Sequence, residues 1–116
     1  MIPRTIRGAG ALFASALLSV PAPAQTDPAP GDVVAGRKIA AAVCQSCHGL
    51  NGLPQMPEMP TIAGSDATYL VKQLEAYRSG ARENEMMSAV APMLDERKMA
   101  DAAAYYAAIK LEATPP

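Results

Sequence analysis

Cys44-Gln45-Ser46-Cys47-His48 gathers into five consecutive residues the two cysteines and the single histidine of the chain. Two thiols three positions apart fall on neighbouring points of one helical turn, where they can add to two vinyl groups on one edge of a porphyrin. The imidazole that follows is then carried beneath the ring to reach the iron. This is the C-x-x-C-H pattern of covalent haem attachment. Three other chemistries use similar residues. A thioredoxin-like dithiol would follow a strand in a βαβ unit, and no such strand is visible. Structural zinc takes four ligands where only three are available. A plain disulfide suits an exported chain but leaves His48 without a role.

Iron held by one histidine needs a partner on the other side of the ring. With no second histidine, a methionine thioether is the best donor left, since a lysine would have to lose its proton to bind. Six methionines lie beyond the first 24 residues: Met56, Met59, Met86, Met87, Met93 and Met99. Met56 and Met59 follow His48 closely and are expected near the haem edge. Met99 lies on an apolar helical stripe and reads as core, and Met93, after Pro92, is also expected to pack inward. The chain length needed to reach the far face of the ring favours Met86 or Met87.

These residues need a frame, and the sequence limits its size. Residues 1–24 run from Arg4 and Arg7 through the 13-residue uncharged stretch Gly8–Val20 to Ala22-Pro23-Ala24. That order is a secretory signal peptide, its apolar part well short of the roughly 20 residues a membrane-spanning helix needs. Export to the periplasm with cleavage near Ala24 is the expectation. Residues 25–31 are a Pro-rich linker, and the folded domain should run over 32–113, only 82 residues. A core that small is usually reinforced by a staple or a cofactor. Half of the chain is hydrophobic but only 4% is aromatic, with no Trp, so a bound prosthetic group would supply missing bulk. Removing Arg4 and Arg7 from ten basic residues leaves eight against eleven acidic ones, a net charge of −3, with no basic footprint for nucleic acid.

Within the domain the patterns are helical. Asp32 can cap a first helix whose Val33, Gly36, Ile39, Ala40 and Val43 share a face and which runs into Cys44. Gly49–Gly64 has no periodicity and should be an irregular loop. Ser65 and Asp66 precede a helix with Leu70, Leu74 and Tyr77 on one face, stopped by Gly80. A short helix over Glu83–Ala91 should end at Pro92, because the residue before proline avoids the helical region. Asp95 caps a last helix that turns Met99, Ala102, Ala103, Tyr106 and Ile109 inward. The fold class is all-α, with about four helices.

The string Cys44-x-x-Cys47-His48-Gly49-x-x-Gly52, then Met59-Pro60-Thr-Ile-Ala-Gly64, Tyr69-Leu70-x-x-Gln73-Leu74-x-x-Tyr77-Arg78-x-Gly80-x-Arg82, Met87-x-x-x-Ala91 and Ala103-Ala104-Tyr105-Tyr106 resembles class I cytochrome c, in particular small bacterial cytochromes of the c553 and c4 type. The resemblance covers residues 32–110. It implies the cytochrome c fold, with the first and last helices crossing at Gly36 and Tyr105 around one covalently bound haem c. It also implies His48 and Met87 as iron ligands and the Pro60 carbonyl as the group that orients His48. Ala102 stands where the family usually has a larger aliphatic residue, which implies looser helix packing.

The function this implies is single-electron transfer between redox proteins through an exposed haem edge, with no substrate of its own and no transmembrane helix after signal cleavage. One alternative is the cytochrome subunit of a larger periplasmic oxidoreductase, delivering electrons from a catalytic subunit. A haem peroxidase or gas sensor is a further one, disfavoured by the abundance of methionine.

Overall fold

The computed structural model describes residues 29–116, together with residues 8, 10, 21 and 22; most of the expected signal sequence and of the linker lies outside them. All regular structure among the described residues is helical.

Helix α1 (Val33–Ile39) starts where the Asp32 carboxylate accepts the Ala35 N–H at 2.6 Å. It continues through a π-helical turn, Ala40–Cys44, into α2 (Gln45–His48). The extra residue of that turn advances the phase by about 100° and so re-aims everything after it, Cys47 and His48 included. Gly31, the last residue of the expected linker, lies against Ala100 and Ala104. Helix α3 (Ala67–Ser79) is capped by Asp66 through the Tyr69 N–H at 2.9 Å and ends at Gly80, whose φ of +81° suits glycine. Helix α4 (Glu85–Val90) is capped by Asn84, whose side-chain oxygen accepts from both Met86 and Met87. Asp95 caps α5 (Glu96–Ala107) through the Lys98 N–H at 2.8 Å.

Helices α1 and α5 cross at close range. A Cβ added to Gly36 would overlap the Asp101 carbonyl and come 2.8 Å from the Tyr105 Cβ. Ala91, Leu94 and Met99 form the fully buried core, with Ile39, Leu74 and Tyr77 packed on it. Ala102, Ala103 and Tyr106 are buried beside them on α5.

Four expectations about this frame fail. Val33 is 44% exposed rather than buried. The closest approaches to α5 are made at Gly31 and Gly36, and Val33 sits about 60° around the helix from Gly36, on the flank. Ala91 adopts helical angles (φ −57°, ψ −39°) despite preceding Pro92, and the chain continues as a 3₁₀ turn over Ala91–Met93. Proline needs no N–H at the start of such a turn, so the pre-proline preference yields to the burial of Ala91. Met93 consequently points outward, 66% exposed. Finally, α5 ends at Ala107, which leaves Ile109 in the tail that passes Gly64.

Candidate functional site

A cavity of about 310 Å³ opens between the end of the first helix, the loop after it, and α3, α4 and α5. Cys44, Cys47 and His48 all border it, and so do Pro60, Met86 and Met87. The remaining walls are largely apolar, with Leu70, Leu74 and Tyr77 from α3 and Ala102, Ala103 and Tyr106 from α5. Ala102, the small residue in place of a larger aliphatic, is thus a cavity wall.

His48 is 9% exposed, and its Nδ1 lies 2.9 Å from the Pro60 carbonyl oxygen. A carbonyl can only accept, so the proton sits on Nδ1 and the Nε2 lone pair is left for a metal. Both thiols are free. Burial pushes the Cys44 thiol up, with the neighbouring Tyr106 hydroxyl pulling the other way. Among the described residues no three His, Cys, Asp or Glu side chains are grouped closely enough to hold a metal ion.

The methionines separate by position. Met99 is fully buried in the core; Met56 and Met93 are exposed and lie away from the cavity. Met59, Met86 and Met87 border it. Met86 is 54% exposed, whereas Met87 is half-buried.

Sequence reasoning missed the charge at this site. Arg82 and Glu58 are the charged side chains among the described residues that line the cavity. Arg82 is held by a 2.6 Å hydrogen bond to the Gln73 side-chain oxygen and by the face of Tyr77, 4.8 Å from the ring centroid. The recurrence of Gln73, Tyr77 and Arg82 in one string was a signal for it, although spacing alone does not reveal that the three meet. Tyr106 was assigned only to the core, yet it borders the cavity and its hydroxyl donates to the Gly49 carbonyl at 3.0 Å.

Two thiols, an imidazole with a free Nε2 and thioethers around one apolar cavity fit a covalently held iron porphyrin. Comparison with known proteins agrees. Residues 33–110 match the model of the family described as cytochrome c. Cytochrome c4 of Thiocapsa roseopersicina is 41% identical over 80 residues, 69% of this chain and 41% of that protein. Cytochrome c-554(548) of Halomonas halodenitrificans is 37% identical over 79 residues, 66% of this chain and 94% of that one. In three dimensions the reduced cytochrome c4 of Pseudomonas stutzeri superposes with a TM-score of 0.64 at 31% identity, over 69% of this chain and 46% of that one. A thiosulfate dehydrogenase (TsdBA) from Marichromatium purpuratum superposes with a TM-score of 0.66 at 34% identity, over 84% of this chain and 24% of that one. This chain therefore spans about two fifths of the length of the cytochrome c4 relative from Thiocapsa. With a family match across nearly all of the described helices and a cavity whose donors suit the group, this chain belongs to the cytochrome c family, and its cofactor is covalently attached haem c.

Proposed function

We propose that this chain is an exported single-electron carrier in which Cys44 and Cys47 hold the haem and His48 and Met87 ligate its iron. When bound, haem c supplies the one-electron Fe(II)/Fe(III) couple. Every other contribution is the protein's. Cys44 and Cys47 fix the group by thioether bonds, and Pro60 holds the His48 ring so that Nε2 faces inward. Met87 supplies the soft donor that favours the reduced ion. Apolar walls from α3 and α5 exclude water, which limits reorganisation on electron transfer. Arg82, braced by Gln73 and Tyr77, presents a cation at the cavity, where it would favour the negative charge of the haem carboxylates.

The observation that carries this reading is the convergence on one cavity of the C-x-x-C-H segment, the Pro60 carbonyl and the α4 methionines. Residues 1–24 act as the signal peptide, 25–31 as the linker and 32–113 as the haem domain, placing the protein in the periplasm. No helix of the described residues is long and apolar enough to cross a membrane. Partners are larger redox proteins meeting the haem edge through the small transient contacts typical of redox pairs.

A second reading, the electron-transferring subunit of a larger enzyme, draws on the thiosulfate dehydrogenase superposition and on 38% identity over 65 residues with the "Thiosulfate dehydrogenase electron acceptor" of Stutzerimonas stutzeri. Gel filtration of the native extract separates the two, since a carrier elutes near 10 kDa as expected for a domain of this size and a subunit elutes with its partner. Spectroelectrochemical titration tests the shared core of both: absorbance should follow a one-electron Nernst curve with slow carbon monoxide uptake. Fast uptake by the reduced protein would point instead to a peroxidase or gas sensor.

A further inference from the structure

Tyr106 fastens, through its two polar ends, both segments that meet at His48. Its phenolic O–H donates to the Gly49 carbonyl at 3.0 Å, and its backbone carbonyl accepts the Gly64 N–H at 2.9 Å. Gly49 directly follows His48. Gly64 closes the segment whose Pro60 carbonyl receives the His48 Nδ1–H. The circuit is completed at Gly52, which donates to the Gly49 carbonyl at 3.1 Å and accepts from Ile62 and Ala63 at 3.0 and 3.2 Å. Gly52 can do this only as glycine: its φ is +71°, and a Cβ there would lie 2.6 Å from the Ala63 nitrogen.

The His48–Pro60 hydrogen bond therefore sits inside a closed loop of backbone bonds whose one side-chain member is Tyr106. We propose that Tyr106 is a positioning residue for His48, its hydroxyl setting the length and direction of the Nδ1–H···O=C bond and thereby how strongly the imidazole donates to iron. The inference rests on the reading of His48 as the axial ligand. Tyr106 is 2% exposed, so water has no easy route to replace the hydroxyl if it is removed. Burial above all pushes the phenol upward, which keeps the hydroxyl protonated as a donor. Tyr105 provides a built-in comparison. Its hydroxyl donates to the Leu50 carbonyl at 2.8 Å, one residue farther from His48, and it has no bond to the Pro60 segment.

The test uses the haem-loaded protein and its Tyr106→Phe and Tyr105→Phe variants. Proton NMR follows exchange of the His48 Nδ1–H, with the Leu74 amide in the same sample reporting global opening. In Tyr106→Phe the His48 proton should exchange about tenfold faster relative to Leu74, the ratio that loss of one net hydrogen bond corresponds to. The reduction potential should rise, because a more loosely held imidazole donates less electron density and favours Fe(II). Tyr105→Phe should leave both readouts where they are in the parent protein. Equal changes in the two variants, or acceleration of the His48 and Leu74 protons by one common factor, would mean that Tyr106 is merely structural. A parent spectrum without imidazole ligation overturns the axial assignment and this inference together; intact ligation with an unmoved proton and potential overturns the inference alone.

Discussion

Gly36 and Asp101 meet backbone to backbone, so closely that even a methyl group on Gly36 would overlap the Asp101 carbonyl. That contact sets the separation of α1 and α5, and α1 leads through the π-helical turn into the C-x-x-C-H segment that borders the cavity. Alanine is the better helix former in isolation, by about 1 kcal/mol, yet Gly36→Ala has to push two helix backbones apart. The clash should win, with a net loss of about 1–3 kcal/mol as for other overpacked sites, measured by guanidinium unfolding of the haem-loaded protein. A stabilised variant would show that the crossing has slack.

The same crossing carries a polar brace. Asp101, buried on α5, accepts the Asp32 N–H at 2.7 Å and lies 3.0 Å from the Arg97 guanidinium. Asp101→Ala leaves the Asp32 N–H unpaired beside the crossing and should cost about 1.5 kcal/mol, the lower end of the range for a hydrogen bond to a charged group. Asp101→Asn keeps an acceptor for that N–H and loses only a half-exposed ion pair, so its melting curve should stay close to that of the parent.

Some of this was legible in the residues before any fold was known. Helix starts at Asp32, Asp66 and Asp95 were readable because a carboxylate paired with an N–H three residues on is a local interaction. Met99, Ala102, Ala103 and Tyr106 followed from period alone. The π-helical turn over Ala40–Cys44 was not readable, since nothing in Ala-Ala-Ala-Val-Cys distinguishes it from an α-helix and only the haem-bearing segment beyond it requires the change of phase. The Arg82–Gln73–Tyr77 group and the Tyr106 circuit were hidden for a related reason. The first depends on the turn at Gly80, which folds Arg82 back along α3 so that its N–H meets the Ala76 carbonyl at 3.0 Å, and the second on contacts between residues 57 positions apart; periodicity reports only one element at a time.

Covalent attachment makes a chemical prediction. Acidified organic solvent should leave the colour on the parent protein, whereas Cys44→Ala and Cys47→Ala together should release haem to the solvent phase. On the proposed ligation, His48→Ala should lose the low-spin spectrum and melt at markedly lower temperature, because a ring no longer anchored there would leave the apolar cavity less well filled. An unchanged spectrum and melt in His48→Ala would exclude His48 as a ligand.

Arg82 should act on the potential through its charge. A fixed cation at the cavity disfavours the extra positive charge of Fe(III), so Arg82→Gln should lower the reduction potential. The side chain is solvent-exposed, and the effect should be roughly 20–40 mV, the one-electron equivalent of about 0.5–1 kcal/mol for a screened pair. High salt should shrink the difference between parent and variant. Equal potentials at low salt would remove Arg82 from the electrostatics of the site.

Met86 and Met87 present the sharpest choice, because both border the cavity and both amides are capped by the same Asn84 oxygen. Neighbouring side chains on a helix point about 100° apart, so only one thioether can face the iron. Met86 is 54% exposed, which places its side chain partly in solvent, and Met87 is the more covered of the two. Ala91 lies four residues beyond Met87 and is fully buried, so one turn farther along the same face the chain is small and packed against the core. Met87→Ala should therefore open the sixth position: the sulfur-to-iron absorption band disappears, the potential falls as the stabilisation of Fe(II) is lost, and the reduced protein takes up carbon monoxide rapidly. Met86→Ala should retain the band and the slow uptake, with at most a small loss of packing. The opposite pattern, a band lost in Met86→Ala and kept in Met87→Ala, would assign the ligand to Met86 and turn α4 by one residue relative to the haem.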